Sequence, residues 1–165
     1  VTDINYPPYL FQTDDGELQG ILKDKWALWS KRTGIPVRLE GMEWAKAQES
    51  VHEGTADVID ALSYTPWRAR FYEYSQAYAP IEARIFFHRT IGGINDVESL
   101  RGFSVGAKEG SACGAWLMER DIDVFGYPTS EMLVKAAGAA EVRLFCMDSP
   151  AAQWKFVEYS GGLSR

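Results

Sequence analysis

The stretch F-S-V-G-A-K-E-G-S-A-C-G-A-W-L-M-E-R-D-I-D-V-F-G-Y, residues 103–127, decides the fold. Phe103 to Val105 reads as a strand, Ser111 as the cap of a helix running to about Glu119, and Val124 to Tyr127 as the next strand. A capping serine accepts a hydrogen bond from an amide that the first helical turn leaves unpaired. Strand, helix, strand at this spacing predicts an α/β architecture. The pattern continues toward the C-terminus. Thr129 or Ser130 caps a helix to Ala140, Val142 to Met147 is a strand, and Ser149-Pro150 opens another helix with proline just inside its start.

The N-terminal half repeats the alternation. After Asn5-Tyr6-Pro7-Pro8-Tyr9, the triplet Asp14-Asp15-Gly16 is a turn between two short extended pieces. A helix follows with the apolar stripe Leu22, Trp26 and Trp29, Lys31 and Arg32 in its last turn, and Gly34 as its stop. Pro36 to Leu39 is expected as a strand, Glu43 to Val51 as a helix closed by Gly54, and Asp57-Val58-Ile59 as the start of a buried strand ending near Leu62. Thr65-Pro66 predicts a further helix, and Ile85 to Phe87 a strand leading out. Ile91-Gly92-Gly93 is the most linker-like stretch. The expected organisation is therefore lobe 1 over residues 1–88, a hinge at 89–93, and lobe 2 over residues 94–165.

Composition narrows the function. Of 165 residues, 46% are hydrophobic and 13% aromatic, which excludes a low-complexity or disordered chain. Apolar runs such as Ile81 to Phe87 are broken by Glu82 and Arg84 well before membrane-spanning length. The net charge of −6, with no block of lysines or arginines, argues against nucleic acid as partner. His52 and His88 lack metal-ligand companions at usual spacing, and no phosphate-binding glycine loop is present, so neither metal nor cofactor is expected. Cys113 and Cys146 are either one disulfide or two buried thiols.

Ligands of open parallel sheets bind beyond the carboxyl ends of the strands. The residues following strand ends are Asp3, Tyr6, Trp44, Ser63, Arg68, Ser111, Cys113 and Asp148. An arginine holds a carboxylate by two parallel hydrogen bonds, a hydroxyl adds a donor, and an aspartate complements an ammonium group. Together they suit a zwitterion such as an amino acid. Each also has a plainer reading: Arg68 as a solvated side chain, Trp44 and Tyr6 as packing, Ser111 as a cap and nothing more.

Tyr6-Pro7-Pro8-Tyr9, Gly16-Glu17-Leu18-Gln19-Gly20, Gly54-Thr55-Ala56-Asp57-Val58, Thr65-Pro66-Trp67-Arg68, Tyr74-Ser75, Leu100-Arg101-Gly102, Val105-Gly106 and Gly110-Ser111 form an ordered series along nearly the whole chain. This series resembles that of the family 3 extracellular solute-binding proteins, which include amino-acid-binding subunits of ABC transporters and Venus-flytrap sensor domains. The resemblance implies a two-lobed periplasmic-binding-protein-like (type II) fold in which ligand is trapped between lobes by hinge closure. It implies that Tyr6 stacks on the ligand, Asp3 lies near a ligand side chain and Trp44 forms an apolar wall. Ser63 and Arg68 would hold the α-carboxylate, Ser111 would add a hydroxyl, and Asp148 would bind the α-amine.

The short stretch Asp60-Ala61-Leu62-Ser63-Tyr64, followed by Thr65-Pro66, is more similar to the sensor branch attached to histidine kinases or diguanylate cyclases than to the transport branch. The implied function is extracytoplasmic binding of a small zwitterionic solute as the sensor domain of a membrane signalling receptor, periplasmic or extracellular and tethered to the inner membrane in the full-length protein. The alternatives are a transporter subunit and a dehydratase- or lyase-like enzyme. In the enzyme, Asp60, Asp148 or Cys113 would serve as acid, base or nucleophile. Against the family pattern the chain is expected to be truncated at both ends, with Ser160 to Arg165 as a loop. The open sheet edge would invite a strand-swapped homodimer.

Overall fold

The computed structural model describes residues 1–159 of the chain, and the expected loop at Ser160 to Arg165 lies outside them. The chain forms two compact units, Val1–Ser75 and Gln76–Arg165.

In the first unit, β1 (Thr2–Asp3) runs parallel to β5 (Gly41–Met42), with Thr2 opposite Gly41. β2 (Asn5–Tyr6), β3 (Leu10–Gln12) and β4 (Leu18–Gln19) form an antiparallel meander. The expected Asp14-Asp15-Gly16 turn joins β3 to β4, closed by the Gly16 amide donating to the Thr13 carbonyl at 2.9 Å. Helix α1 (Ile21–Thr33) then begins against the preceding loop. The amides of Ile21 and Leu22 donate to the carbonyls of Pro8 and Tyr9 at 3.1 and 2.9 Å, satisfying donors that a helix start leaves open. Gly34, at φ 74°, ends the helix in the left-handed conformation, as its position predicted. Helix α2 (Trp44–His52) follows β5. Leu10, Leu22, Trp44 and Ala47 are buried in this unit, and Asp60 is buried with them.

Two expected strands are absent. Residues 35–40 are coil and residues 57–62 coil and bends, without strand pairing. Instead of a ladder, the second stretch exchanges two bonds with Val1: the Asp60 amide donates to the Val1 carbonyl at 3.0 Å, and the Val1 amino group donates to the Val58 carbonyl at 2.7 Å. Two bonds around one residue do not make a repeating register. The helix expected after Thr65-Pro66 is a single 3-10 turn, Arg68–Arg70, although the Thr65 hydroxyl accepts the Arg68 amide at 3.1 Å as a cap should.

The second unit holds one four-stranded sheet in the order β6-β9-β7-β8. These strands are β6 (Ala83–Phe87), β7 (Ser104–Lys108), β8 (Asp123–Tyr127) and β9 (Leu144–Asp148). β7 is parallel to both β8 and β9, and β6 is antiparallel to β9. Helices α3 (Ala112–Met118) and α4 (Ser130–Gly138) provide the crossovers, and α5 (Ser149–Tyr159) follows β9. Both expected caps are present: the Ser111 and Thr129 hydroxyls accept the amides of Gly114 and Met132, each at 3.1 Å. The core gathers Leu100, Val105, Leu117, Ile122, Leu144 and Cys146.

The division between units falls at Ser75/Gln76, whereas the sequence places a hinge at residues 89–93. Pairing explains the difference. β6 lies against β9 over its whole length, the His88 amide donates to the Arg143 carbonyl at 2.8 Å, and Ile91 and Ile94 pack on the second core. The glycine-rich stretch thus begins inside the second unit, because flanking isoleucines anchor it.

Candidate functional site

In the first unit the arrangement centres on Arg68. Its side chain is only 5% exposed although it sits in the expected Thr65-Pro66-Trp67-Arg68 turn, which excludes the solvated reading. One guanidinium nitrogen donates to the Ser63 carbonyl at 2.9 Å, and the guanidinium carbon stands 5.7 Å from the Trp44 ring centre. A cation over an indole face is attracted by the ring quadrupole, so Trp44 serves Arg68 as well as the core. The Thr65 cap orders the turn from which the arginine projects. Trp44, Ser63 and Arg68 are therefore brought together as a group.

Ser63 contributes its backbone carbonyl to that group, while its side chain is exposed. The Tyr74 hydroxyl also donates to this carbonyl, at 3.4 Å. Burial raises the Tyr74 phenol above its ordinary pKa of 10.0, and the nearby Arg68 charge acts in the opposite direction. Tyr74 stands in the sequence series but carries no signal there that it reaches the arginine's acceptor.

Asp3 ends β1 and is buried, with its carboxylate accepting the Asn5 amide at 3.1 Å. Tyr6, on β2, stacks on Tyr9 with ring centres 4.8 Å apart. The pair is a consequence of the short β2–β3 connection, which the Tyr6-Pro7-Pro8-Tyr9 stretch already contains. A groove of about 520 Å³ opens elsewhere in this unit, lined by Trp26, Trp29, Val37, Leu39 and Val58 among others. Of the candidate residues Asp60 lines it, and none of the expected ligand contacts does.

In the second unit, Ser111 follows the carboxyl end of β7, and Asp148 is the last residue of β9, opposite Ala83. Since β7 and β9 are parallel neighbours, both residues emerge at the same end of one sheet. Cys113 and Cys146 form a disulfide, which settles the alternative left open by composition. It removes Cys113 as a nucleophile, because the thiolate is the reactive species.

Asp60 is also unsuited to acid or base work. Its carboxylate accepts the Trp26 indole N–H at 2.6 Å, pairs with Lys25 at 3.0 Å and accepts the Ala61 amide at 2.7 Å. Those bonds occupy it structurally. Among the described residues no group of three or more His, Cys, Asp or Glu side chains is placed to hold a metal ion, and no helix is long and apolar enough to cross a membrane.

Comparison with known proteins bears on the fold and the family. The chain is 27% identical over 126 residues to the L-cystine-binding protein TcyJ of Escherichia coli K12, covering 74% of this chain and 47% of TcyJ. It thus spans about half the length of the curated relatives it matches. A histidine kinase sensor domain with similarity to periplasmic binding proteins superposes with a TM-score of 0.90 at 21% identity, covering 96% of this chain and 71% of the other. An ancestral arginine-binding protein bound to arginine gives a TM-score of 0.84 at 21% identity, covering 97% and 73%. These likenesses establish the two-lobed α/β periplasmic-binding-protein fold. The model of the bacterial extracellular solute-binding proteins, family 3, matches residues 1–144, and the chain belongs to that family.

Proposed function

We propose that this chain is the extracytoplasmic ligand-binding module of a membrane signalling receptor, recognising an L-amino acid by closing its two lobes on it. The buried Arg68, held by the Ser63 carbonyl and faced by Trp44, carries the reading. A guanidinium presents its N–H groups in a planar fork that matches a carboxylate, and burial in the turn sets its orientation before ligand arrives. Asp148 supplies the complementary anion for the α-amine. The Ser111 hydroxyl, which accepts from Gly114, retains its own proton to donate to the carboxylate. Tyr6, already paired with Tyr9, offers a ring face for stacking, and Asp3 and Trp44 border the ligand side chain. Hinge motion is assigned to the backbone around Ser75/Gln76, where the two units divide.

The sensor role is favoured over a transporter subunit by the short Asp60 to Tyr64 stretch and by the resemblance to a kinase sensor domain. The partner is accordingly the rest of a receptor, periplasmic or extracellular in its binding part and tethered to the inner membrane. An enzymatic role on the same fold loses two of its three candidate groups, Cys113 to the disulfide and Asp60 to its ion pair.

Isothermal calorimetry with the standard L-amino acids and L-cystine tests the reading. At least one is expected to bind, and Arg68→Ala is expected to weaken it by about 2 to 5 kcal/mol, the usual cost of unpairing a buried charged group. Absence of binding by every compound, or an unchanged affinity in the variant, would overturn it.

A further inference from the structure

The second unit places a covalent bond beside both of its proposed ligand contacts. Cys113 is the second residue of α3, two beyond Ser111; Cys146 lies in β9, two before Asp148. Alternate residues of a strand point to the same face of a sheet. Asp148 therefore leaves β9 on the face that Cys146 uses to reach α3. Cys146 is 3% exposed within the core, and Ala107 of β7 stands opposite it in register.

The helix is held down at a second point. Gly114 is buried, and a Cβ there would stand 3.2 Å from the Ala107 Cβ and 3.2 Å from the Ser111 hydroxyl oxygen. The glycine lets α3 approach β7 closely, while its amide fixes the Ser111 hydroxyl at 3.1 Å. A helix of seven residues has little capacity to hold its own start, because isolated short helices are marginal. The disulfide and the close glycine contact supply what the helix lacks.

We propose that the Cys113–Cys146 disulfide is a positioning device for ligand recognition, fixing Asp148 and Ser111 relative to one another at one end of the sheet so that Asp148 meets the ammonium group of an amino acid. The inference rests on the amino-acid-binding reading above and extends it. A bond that only stabilised the second unit would, on reduction, weaken all ligands alike. A positioning bond acts on the contact with the ammonium group, which depends on Asp148 being registered against Ser111. Carboxylate capture at Arg68 lies in the other unit and does not depend on it.

The experiment compares the full 165-residue chain, oxidised and after reduction with a phosphine, and a Cys113→Ala/Cys146→Ala double variant. The probes are the standard L-amino acid that binds the oxidised chain most tightly and the same compound without its α-amine. The oxidised chain is expected to prefer the amino acid by at least about tenfold, as charge-assisted pairing requires. In the reduced and double-variant proteins most of that preference is lost, while the des-amino acid, still captured by Arg68, weakens far less than the amino acid does. The proposal is overturned if the preference persists without the bond, or if binding of both compounds disappears together with the cooperative thermal transition. Failure of every amino acid to bind the oxidised chain would refute the functional reading, and this inference with it.

Discussion

The guanidinium of Arg68 donates to the carbonyl of Ser63, five residues earlier in the chain, at 2.9 Å. The bond closes the turn back on itself, so local backbone sets the arginine's direction together with the facing Trp44 ring. A side chain fixed in this way forfeits little conformational entropy when it meets a ligand.

Replacing Arg68 by lysine separates charge from shape. Lysine keeps the positive charge but offers a rotatable ammonium instead of a planar fork, and it cannot hold Ser63 and a carboxylate in one plane. We expect Arg68→Lys to weaken amino-acid binding by about tenfold or more, measured by calorimetry, with an unchanged thermal midpoint in the absence of ligand.

The Trp26 indole bond to Asp60 is short and shielded, at 2.6 Å with Asp60 only 5% exposed. Trp26→Phe preserves the ring but leaves the carboxylate one donor short. The expected loss is about 1 to 3 kcal/mol in chemical denaturation, the usual cost of an unsatisfied buried polar group. A loss below about 0.5 kcal/mol would show that Lys25 and the Ala61 amide suffice for Asp60.

Two glycines with positive φ should respond differently to alanine. At Gly20 (φ 124°) a Cβ would lie 2.3 Å from the Tyr9 carbonyl oxygen, the acceptor for the first turn of α1. At Gly34 (φ 74°) the surrounding space is open. Gly34→Ala is expected to cost about 1 to 2 kcal/mol from backbone conformation alone. Gly20→Ala should exceed this by several kcal/mol because α1 must shift as well. Equal thermal midpoints for the two variants would refute the steric argument.

The Tyr74 phenol has a raised pKa because burial disfavours its charged form. The folded value lies above the unfolded value of 10.0, so the contribution to stability is fully present below pH 10 and lost as pH rises through the folded value. In Tyr74→Phe that alkaline dependence disappears. The stability difference between wild type and variant, followed by denaturation from pH 8 to about 12, should therefore shrink on the alkaline side. A difference that stays constant over the range would count against burial of the phenol.

Helix starts and stops were legible in the sequence wherever they depend on one residue's chemistry. Gly34, Ser111 and Thr129 act locally, and each stands in its expected role. The strands at Pro36 to Leu39 and Asp57 to Leu62 were not, because an apolar run becomes a strand only if a neighbour completes its ladder, and pairing is a property of the sheet. The same reason moved the boundary from the glycines at 92 and 93 to Ser75/Gln76: flexibility is local, but membership of a core is not.

The candidate site divides along the same line. Motif order along the chain placed Arg68, Ser111 and Asp148 at strand and turn ends, since position in an α/β pattern follows from periodicity. Only the tertiary structure showed that Arg68 is buried against Trp44, that Ser63 serves through its carbonyl, and that Cys113 and Cys146 are joined. The contact of Arg68 with Trp44 and the disulfide depend on residues distant in sequence meeting across a packed interior, and the Ser63 bond depends on a turn whose closure no single residue type signals. One-dimensional order specifies which groups are available, and packing specifies which of them meet.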